Sequence, residues 1–152
     1  MDFTTVTMKK AYLIGMTIKT EQSKAGQDIP DLFQDFDDLG GIDVITNQVN
    51  GKLICAYFDY EGDHTQPYTY FIGCMTTSNT RIPAGMICKE IPEGKYAKIQ
   101  VTGQYPQSLL DTWEKINASD IKRAYNFDFE QYGQFFTEDD DFQFSIYLSL
   151  EQ

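Results

Sequence analysis

The sequence predicts an α+β domain of two similar halves that share one antiparallel sheet, with two main helices on one face of it. Three observations carry that expectation. Short runs rich in β-formers, several alternating with period two, fill much of the chain. Two segments instead carry apolar residues at helical spacing. The order strand, helix, strand, strand then returns as strand, strand, helix, strand, strand, which points to a pseudo-two-fold axis. The 152 residues suit one domain with a sizeable core.

Taken in order, residues 6–20 read as one long central strand, because Tyr12-Leu-Ile-Gly-Met-Thr-Ile18 is uncharged and rich in β-formers. Residues 21–27 are polar and read as a loop. In 28–39, Asp28 is placed to cap a helix and Pro30 fits its first turn, while Gly40-Gly41 stops it. Ile29, Leu32, Phe33, Phe36 and Leu39 fall on one face and read as core, since a helix lying on a sheet needs such a stripe. Asn50-Gly51 predicts a tight turn. Residues 53–60 and 68–75 read as adjacent strands; His64, in the loop between them, reads as a surface histidine.

The second half begins after Arg81. Pro92-Glu-Gly94 predicts a hairpin between strands at 86–91 and 96–102. Pro106 opens a helix whose stripe is Leu109, Leu110, Trp113 and Ile116. Residues 124–133 read as a short strand or extended loop, and 134–141 as an acidic, solvated connector. Residues 142–150 alternate cleanly, with Phe142, Phe144, Ile146, Leu148 and Leu150 on one face and Tyr147 on the other.

Composition bears on partners. Twelve Lys and Arg stand against twenty-three Asp and Glu, a formal net charge of −11, so a phosphate-binding basic face is not expected and nucleic acid is excluded as a direct partner. No apolar run approaches a membrane span and no signal-peptide order opens the chain, so the expected address is the cytoplasm. Cys55, Cys74 and Cys88 are widely spaced in apolar segments and read as reduced core residues, with no zinc pattern and no cofactor implied. Asp35, Asp37 and Gly40 fail as a calcium loop, because Leu39 and Thr46 occupy positions where ligands are required.

The candidate site is Glu130, which lies in a run otherwise rich in aromatic residues, from Arg123 to Tyr132. A carboxylate shielded by aromatic faces gives an organic cation Coulomb attraction together with cation–π contact. The alternative is a strand glutamate that alternates outward to solvent. With both helices on one face, the opposite face and the seam between halves are left for a cleft. Tyr12, Tyr57, Tyr70, Tyr96 and Tyr147 are the aromatics that alternation offers to line it; which face each takes stays open.

The succession Ile82-Pro-Ala-Gly-Met86, Ile91-Pro-Glu-Gly-Lys-Tyr-Ala97, Leu110-Asp-Thr-Trp113, Phe129-Glu-Gln-Tyr132 and Asp141-Phe-Gln-Phe-Ser-Ile-Tyr-Leu148 resembles the GyrI-like effector-binding domain, the ligand-binding module of AraC- and MerR-type multidrug regulators. The resemblance implies a duplicated β-α-β-β (SHS2-like) fold with a central ligand cleft, and a glutamate at Glu130 that pairs with cationic ligands. It further implies pocket aromatics at Tyr105 and Phe142. The chain departs from the regulators of that family, which carry a helix-turn-helix region before the module, so a standalone member without a DNA-binding region is expected.

Three functions are then expected to compete. The first is capture of hydrophobic, cationic aromatic small molecules, as a sensor or a sink. The second, implied by the resemblance, is hydrolysis of cyclopropane-bearing genotoxins with Glu130 assisting water; nothing else in the sequence supports an enzyme. The third, also implied by the resemblance, is an inhibitory protein partner of DNA gyrase.

Overall fold

A computed structural model describes residues 1–133 and 143–151. Among the described residues there are eight strands and two α-helices. In chain order these are β1 (Thr4–Met8), β2 (Ala11–Thr20), α1 (Gln22–Asp38), β3 (Gln48–Phe58), β4 (Tyr68–Thr76), β5 (Ile87–Ile91), β6 (Gly94–Thr102), α2 (Gln107–Ala118), β7 (Arg123–Tyr132) and β8 (Gln143–Leu150). A short 3-10 turn, Gly41–Val44, follows α1. The strands form one antiparallel sheet in the order β1-β6-β8-β7-β3-β4-β2-β5.

That order is a palindrome about the β7–β3 pair. Each half contributes a core of three strands, β2-β4-β3 and β6-β8-β7, and lends its first strand to the other: β1 pairs with β6, and β5 with β2. Only Lys9 and Lys10 separate β1 from β2, and only Pro92 and Glu93 separate β5 from β6, although both links join opposite ends of the sheet. The sheet must therefore curl until its ends approach.

Several expectations are corrected here. The single strand at 6–20 is two strands, broken where Lys9-Lys10 crosses between sheet edges. The Pro92-Glu-Gly94 turn joins strands that do not pair with each other, so it is a crossover and not a hairpin. Helix α1 starts at Gln22, because the extended Glu21 offers its carbonyl to the Lys24 and Ala25 N–H groups; residues 22–27 are thus helix, and Pro30 lies inside it. Asn50-Gly51 is an irregularity within β3, where the register shifts between Gln48 and Leu53 and Gly51 takes a φ of 68°. The connector expected at 134–141 and the residue Phe142 lie outside the described residues.

Curling gives the sheet two apolar cores, one per face. On the face that carries both helices, Ile14, Cys55, Tyr70, Ile72, Cys74, Ile99, Tyr132, Phe144, Ile146 and Leu148 meet Leu32 and Phe36 of α1 and Ile116 of α2. On the inner side of the curl, Leu13, Ile54, Ala56, Phe58, Phe71, Ile91, Tyr96, Phe127 and Phe129 bury one another. Strand alternation sorts the residues between the two cores.

Candidate functional site

Glu130 sits at the seam between the halves, directly opposite Cys55 in the β3–β7 pair. Its neighbours in strand register are Tyr57 and Leu53 on β3, and Tyr132 two residues along β7; all point to the helix face. The two helices stand apart over this seam. Between them lies a cavity of about 940 Å³, walled by Ile29, Pro30, Phe33 and Gln34 of α1 and by Leu109, Leu110 and Trp113 of α2, with Cys55, Tyr57, Tyr70, Ile72, Glu130 and Tyr132 on its floor and Tyr105 at its side. Of the two places expected for a cleft, the cavity takes the seam between the halves, on the helix side, and not the opposite face, which the curl fills with the second core.

The carboxylate is 1% exposed. Its Oε2 accepts hydrogen bonds from the Tyr57 hydroxyl at 2.5 Å and the Trp113 indole N–H at 2.7 Å, and its Oε1 accepts from the Tyr132 hydroxyl at 2.6 Å. Burial pushes the Glu130 carboxyl above its ordinary range, and the three donors pull the other way without cancelling that push. The same burial, reinforced by the adjacent carboxylate, raises the Tyr57 and Tyr132 hydroxyls and pushes Tyr105 up to about 12. These phenols therefore remain protonated donors at any ordinary pH. Tyr57 lies edge-on to Tyr70 and Trp113, with ring centroids 5.2 and 5.1 Å away, and Tyr105 edge-on to Tyr132 at 6.1 Å. The result is a carboxylate surrounded by aromatic side chains that direct their polar edges at it. Every charged residue among those lining the cavity is acidic: Glu130 on the floor, with Asp37 and Asp43 exposed.

Strand β7 buries a second carboxylate, Asp128, whose surroundings differ in kind. Its Oδ2 accepts from Arg123 Nη2 at 2.8 Å and from the Tyr60 hydroxyl at 2.6 Å, and its Oδ1 accepts from the Ser149 N–H at 2.9 Å. Asp128 thus has a buried counter-ion. Glu130 has neutral donors, and no cationic side chain touches it among the described residues.

Of the residues predicted from sequence, Glu130, Tyr57, Tyr70 and Tyr105 line this cavity. Tyr96 and Tyr147 do not: both sit on the inner side of the curl, where Tyr147 stacks on Phe129 at 4.6 Å and Tyr96 donates to the Pro92 carbonyl. The correction follows from parity, because Ala97 and Leu148, one position along from each, are the residues that face the helices. Tyr12, also offered by alternation, is not among the lining residues. Trp113 and Tyr132 were not singled out by sequence. Tyr132 carried a usable signal, its i+2 spacing from Glu130, whereas Trp113 looked like an ordinary member of a helix stripe.

The family model for Cass2, described as an integron-associated effector-binding protein, matches residues 4–150. The chain belongs to the Cass2 family. The GyrI-like motifs of the sequence and the curled α+β sheet agree with that membership. The Cass2 integron cassette protein from the mobile metagenome of Vibrio cholerae superposes with a TM-score of 0.77 at 20% identity, over 98% of this chain and 95% of that one. The protein SAV2435, solved bound to tetraphenylphosphonium, gives 0.81 at 17% identity over 99% and 94%. A protein from Staphylococcus aureus MU50 gives 0.81 at 14% identity over 100% and 99%. No curated protein matches the chain in sequence. In this Cass2-family chain the effector cavity is therefore sought on a fold shared with these proteins, and the cavity over the β3–β7 seam is the candidate.

Proposed function

We propose that the cavity captures hydrophobic, cationic aromatic small molecules, with Glu130 as their counter-charge, in a sensing or sequestering role. The observation that carries this reading is the buried Glu130 carboxylate, held by three neutral donors and left without a cationic partner among the described residues. A buried carboxylate without a counter-ion is costly, and a bound cation relieves that cost while the aromatic walls replace its hydration. A volume of about 940 Å³ suits a ligand of several rings. The relative solved with tetraphenylphosphonium, a bulky aromatic cation, supports the same chemistry. Hydrolysis through Glu130 has less support, since both carboxylate oxygens already accept from fixed donors that a general base would have to give up.

The test is titration of tetraphenylphosphonium and of rhodamine-like dyes into the wild type and Glu130→Gln, followed by analysis of the recovered ligand. Binding that weakens at least tenfold in the variant, about 1.4 kcal/mol, with ligand returned intact, is the expected outcome. Equal affinity in both proteins would remove Glu130 from the recognition, and a modified ligand would replace capture with turnover.

A further inference from the structure

Beside the main cavity lies a side chamber of about 150 Å³, lined by Tyr57, Tyr60, Tyr68, Trp113, Asn117 and Arg123 among others. Tyr57 and Trp113 line both spaces, whereas Tyr60 and Tyr68 border the chamber alone. Four aromatic side chains form a continuous wall. The ring centroid of Trp113 lies 5.1 Å from that of Tyr57, Tyr57 lies 5.7 Å from Tyr68, and Tyr68 lies 6.0 Å from Tyr60. Arg123 closes the circuit: its guanidinium is 5.6 Å from the Trp113 ring centroid and donates to Asp128, which also accepts from the Tyr60 hydroxyl.

The polar ends along this wall are committed, with one exception. Tyr57 and Trp113 donate to Glu130, Tyr60 donates to Asp128, and Asn117 Oδ1 accepts from Arg123. Tyr68 is 8% exposed, and its hydroxyl makes no hydrogen bond among the described residues. It is not sealed, however: a water-sized group can still reach its oxygen. Tyr68 stands on β4, two strands from Glu130 in the sheet. Burial, with the Glu130 charge adding to it, nevertheless raises the Tyr68 hydroxyl, so the side chain leans from β4 toward the seam, where the rings of Tyr57 and Tyr60 flank it and the chamber opens. A buried hydroxyl without a partner is unfavourable, and a phenylalanine would avoid the cost.

Size, walls and charge together define the guest. A cavity of about 150 Å³ accommodates one benzene-sized ring. Aromatic walls favour edge-to-face and offset contacts with such a ring. Asp128 already balances Arg123, so an ionised guest would enter without a counter-ion, whereas a neutral one would not. We propose that the chamber is a second binding site, for a neutral, phenol-sized aromatic ring whose polar substituent pairs with the Tyr68 hydroxyl. The assignment rests on Tyr68 and the chamber and does not depend on cation capture in the main cavity. The ring belongs either to a separate small molecule or to an arm of a ligand seated in the main cavity.

Phenol is the probe, titrated into the full chain while the indole N–H of Trp113, the one tryptophan in the sequence, is followed by proton–nitrogen correlation spectra. Benzene and benzoate are the controls. A saturable shift is expected, with phenol about fivefold tighter than benzene and benzoate at least about tenfold weaker than phenol. Nuclear Overhauser contacts from phenol to the rings of Tyr60 and Tyr68 are expected to place it in the chamber. Tyr68→Phe breaks no hydrogen bond among the described residues and keeps the ring, so it should fold, weaken phenol about fivefold and leave benzene unchanged. Adding phenol to protein saturated with tetraphenylphosphonium separates the sources: a retained response identifies an independent ligand, a lost one an arm of the main ligand. Shifts that never saturate, benzoate equal to phenol, a phenol affinity unchanged in Tyr68→Phe, or contacts to Tyr70 and Leu109 of the main cavity in place of Tyr60 would each overturn the proposal. Loss of tetraphenylphosphonium binding alone would overturn only the cation reading.

Discussion

Two carboxylates two residues apart on β7, Asp128 and Glu130, meet opposite electrostatic fates. Asp128 is paired with Arg123, so Asp128→Asn leaves a buried guanidinium without its counter-ion; a loss of about 3–5 kcal/mol in chemical denaturation is expected. Glu130 has its carboxyl raised above the usual 4.5 by burial. A permanent cation stabilises only the ionised form, so binding to protonated protein releases a proton. Affinity for tetraphenylphosphonium should therefore rise with pH and level off above the Glu130 pKa, falling by up to about tenfold per pH unit below it. Glu130→Gln should show a flat profile over the same range. The linkage to stability has the opposite sense: a raised carboxyl pKa adds stability at low pH that is lost as pH rises from 4.5 through the folded value. Tyr132→Phe removes one of the three donors to the carboxylate, so the midpoint of the affinity profile should move to higher pH, which a titration series at several pH values measures directly.

At the level of the elements, the cavity exists because two helices stand apart over the seam of the sheet. Strand β2 meets β4 through Gly15 and Gly73, which face each other, and the Phe71 ring lies over both. A Cβ on Gly15 would stand 2.0 Å from the Ile72 carbonyl oxygen, and one on Gly73 would stand 2.1 Å from that of Ile14. Both obstacles are backbone and cannot swing away. Gly15→Ala should therefore cost about 1–3 kcal/mol in thermal or denaturant unfolding, although alanine is a small residue. The irregularity in β7 is the other decisive element: Arg123 lies opposite Leu150 and Asp128 opposite Leu148, and this shift lets Arg123 and Asp128 pair although regular alternation would separate them, with the guanidinium 5.6 Å from the Trp113 ring centroid.

For the whole molecule, the exchange of first strands between halves means that neither half closes its own part of the sheet. β1 completes the second half and β5 the first, and all eight strands surround the inner core. Independent unfolding of the halves is not expected. Denaturation followed by Trp113 fluorescence, which reports on α2 and the seam, should coincide with denaturation followed by far-ultraviolet circular dichroism. A separation of the two curves would show halves that unfold one after the other. The seam is also where Glu130 sits, so the ligand charge is held by both halves at once, through Tyr57 of β3 and through Trp113 and Tyr132 of the second half.

Local pattern was enough to read the α+β class, the two amphipathic helices, the faces of β8, and Glu130 as the residue to test, because alternation and helical spacing act over a few neighbouring residues. It was also enough to bring out Tyr57 and Tyr70, whereas Tyr105 came only from the resemblance of the motifs to the effector-binding domain. Tertiary structure alone decided that residues 6–20 are two strands and that the Pro92-Glu-Gly94 turn crosses between sheet ends, since pairing partners come from distant parts of the chain. It likewise decided which face a buried tyrosine takes: Tyr96 and Tyr147 alternate like the others, but the curl of the sheet gives both faces an apolar core and removes the contrast with solvent that makes alternation readable. The partners of Glu130 depended on the same physics, because Trp113 reaches the carboxylate only when α2 lies over the seam.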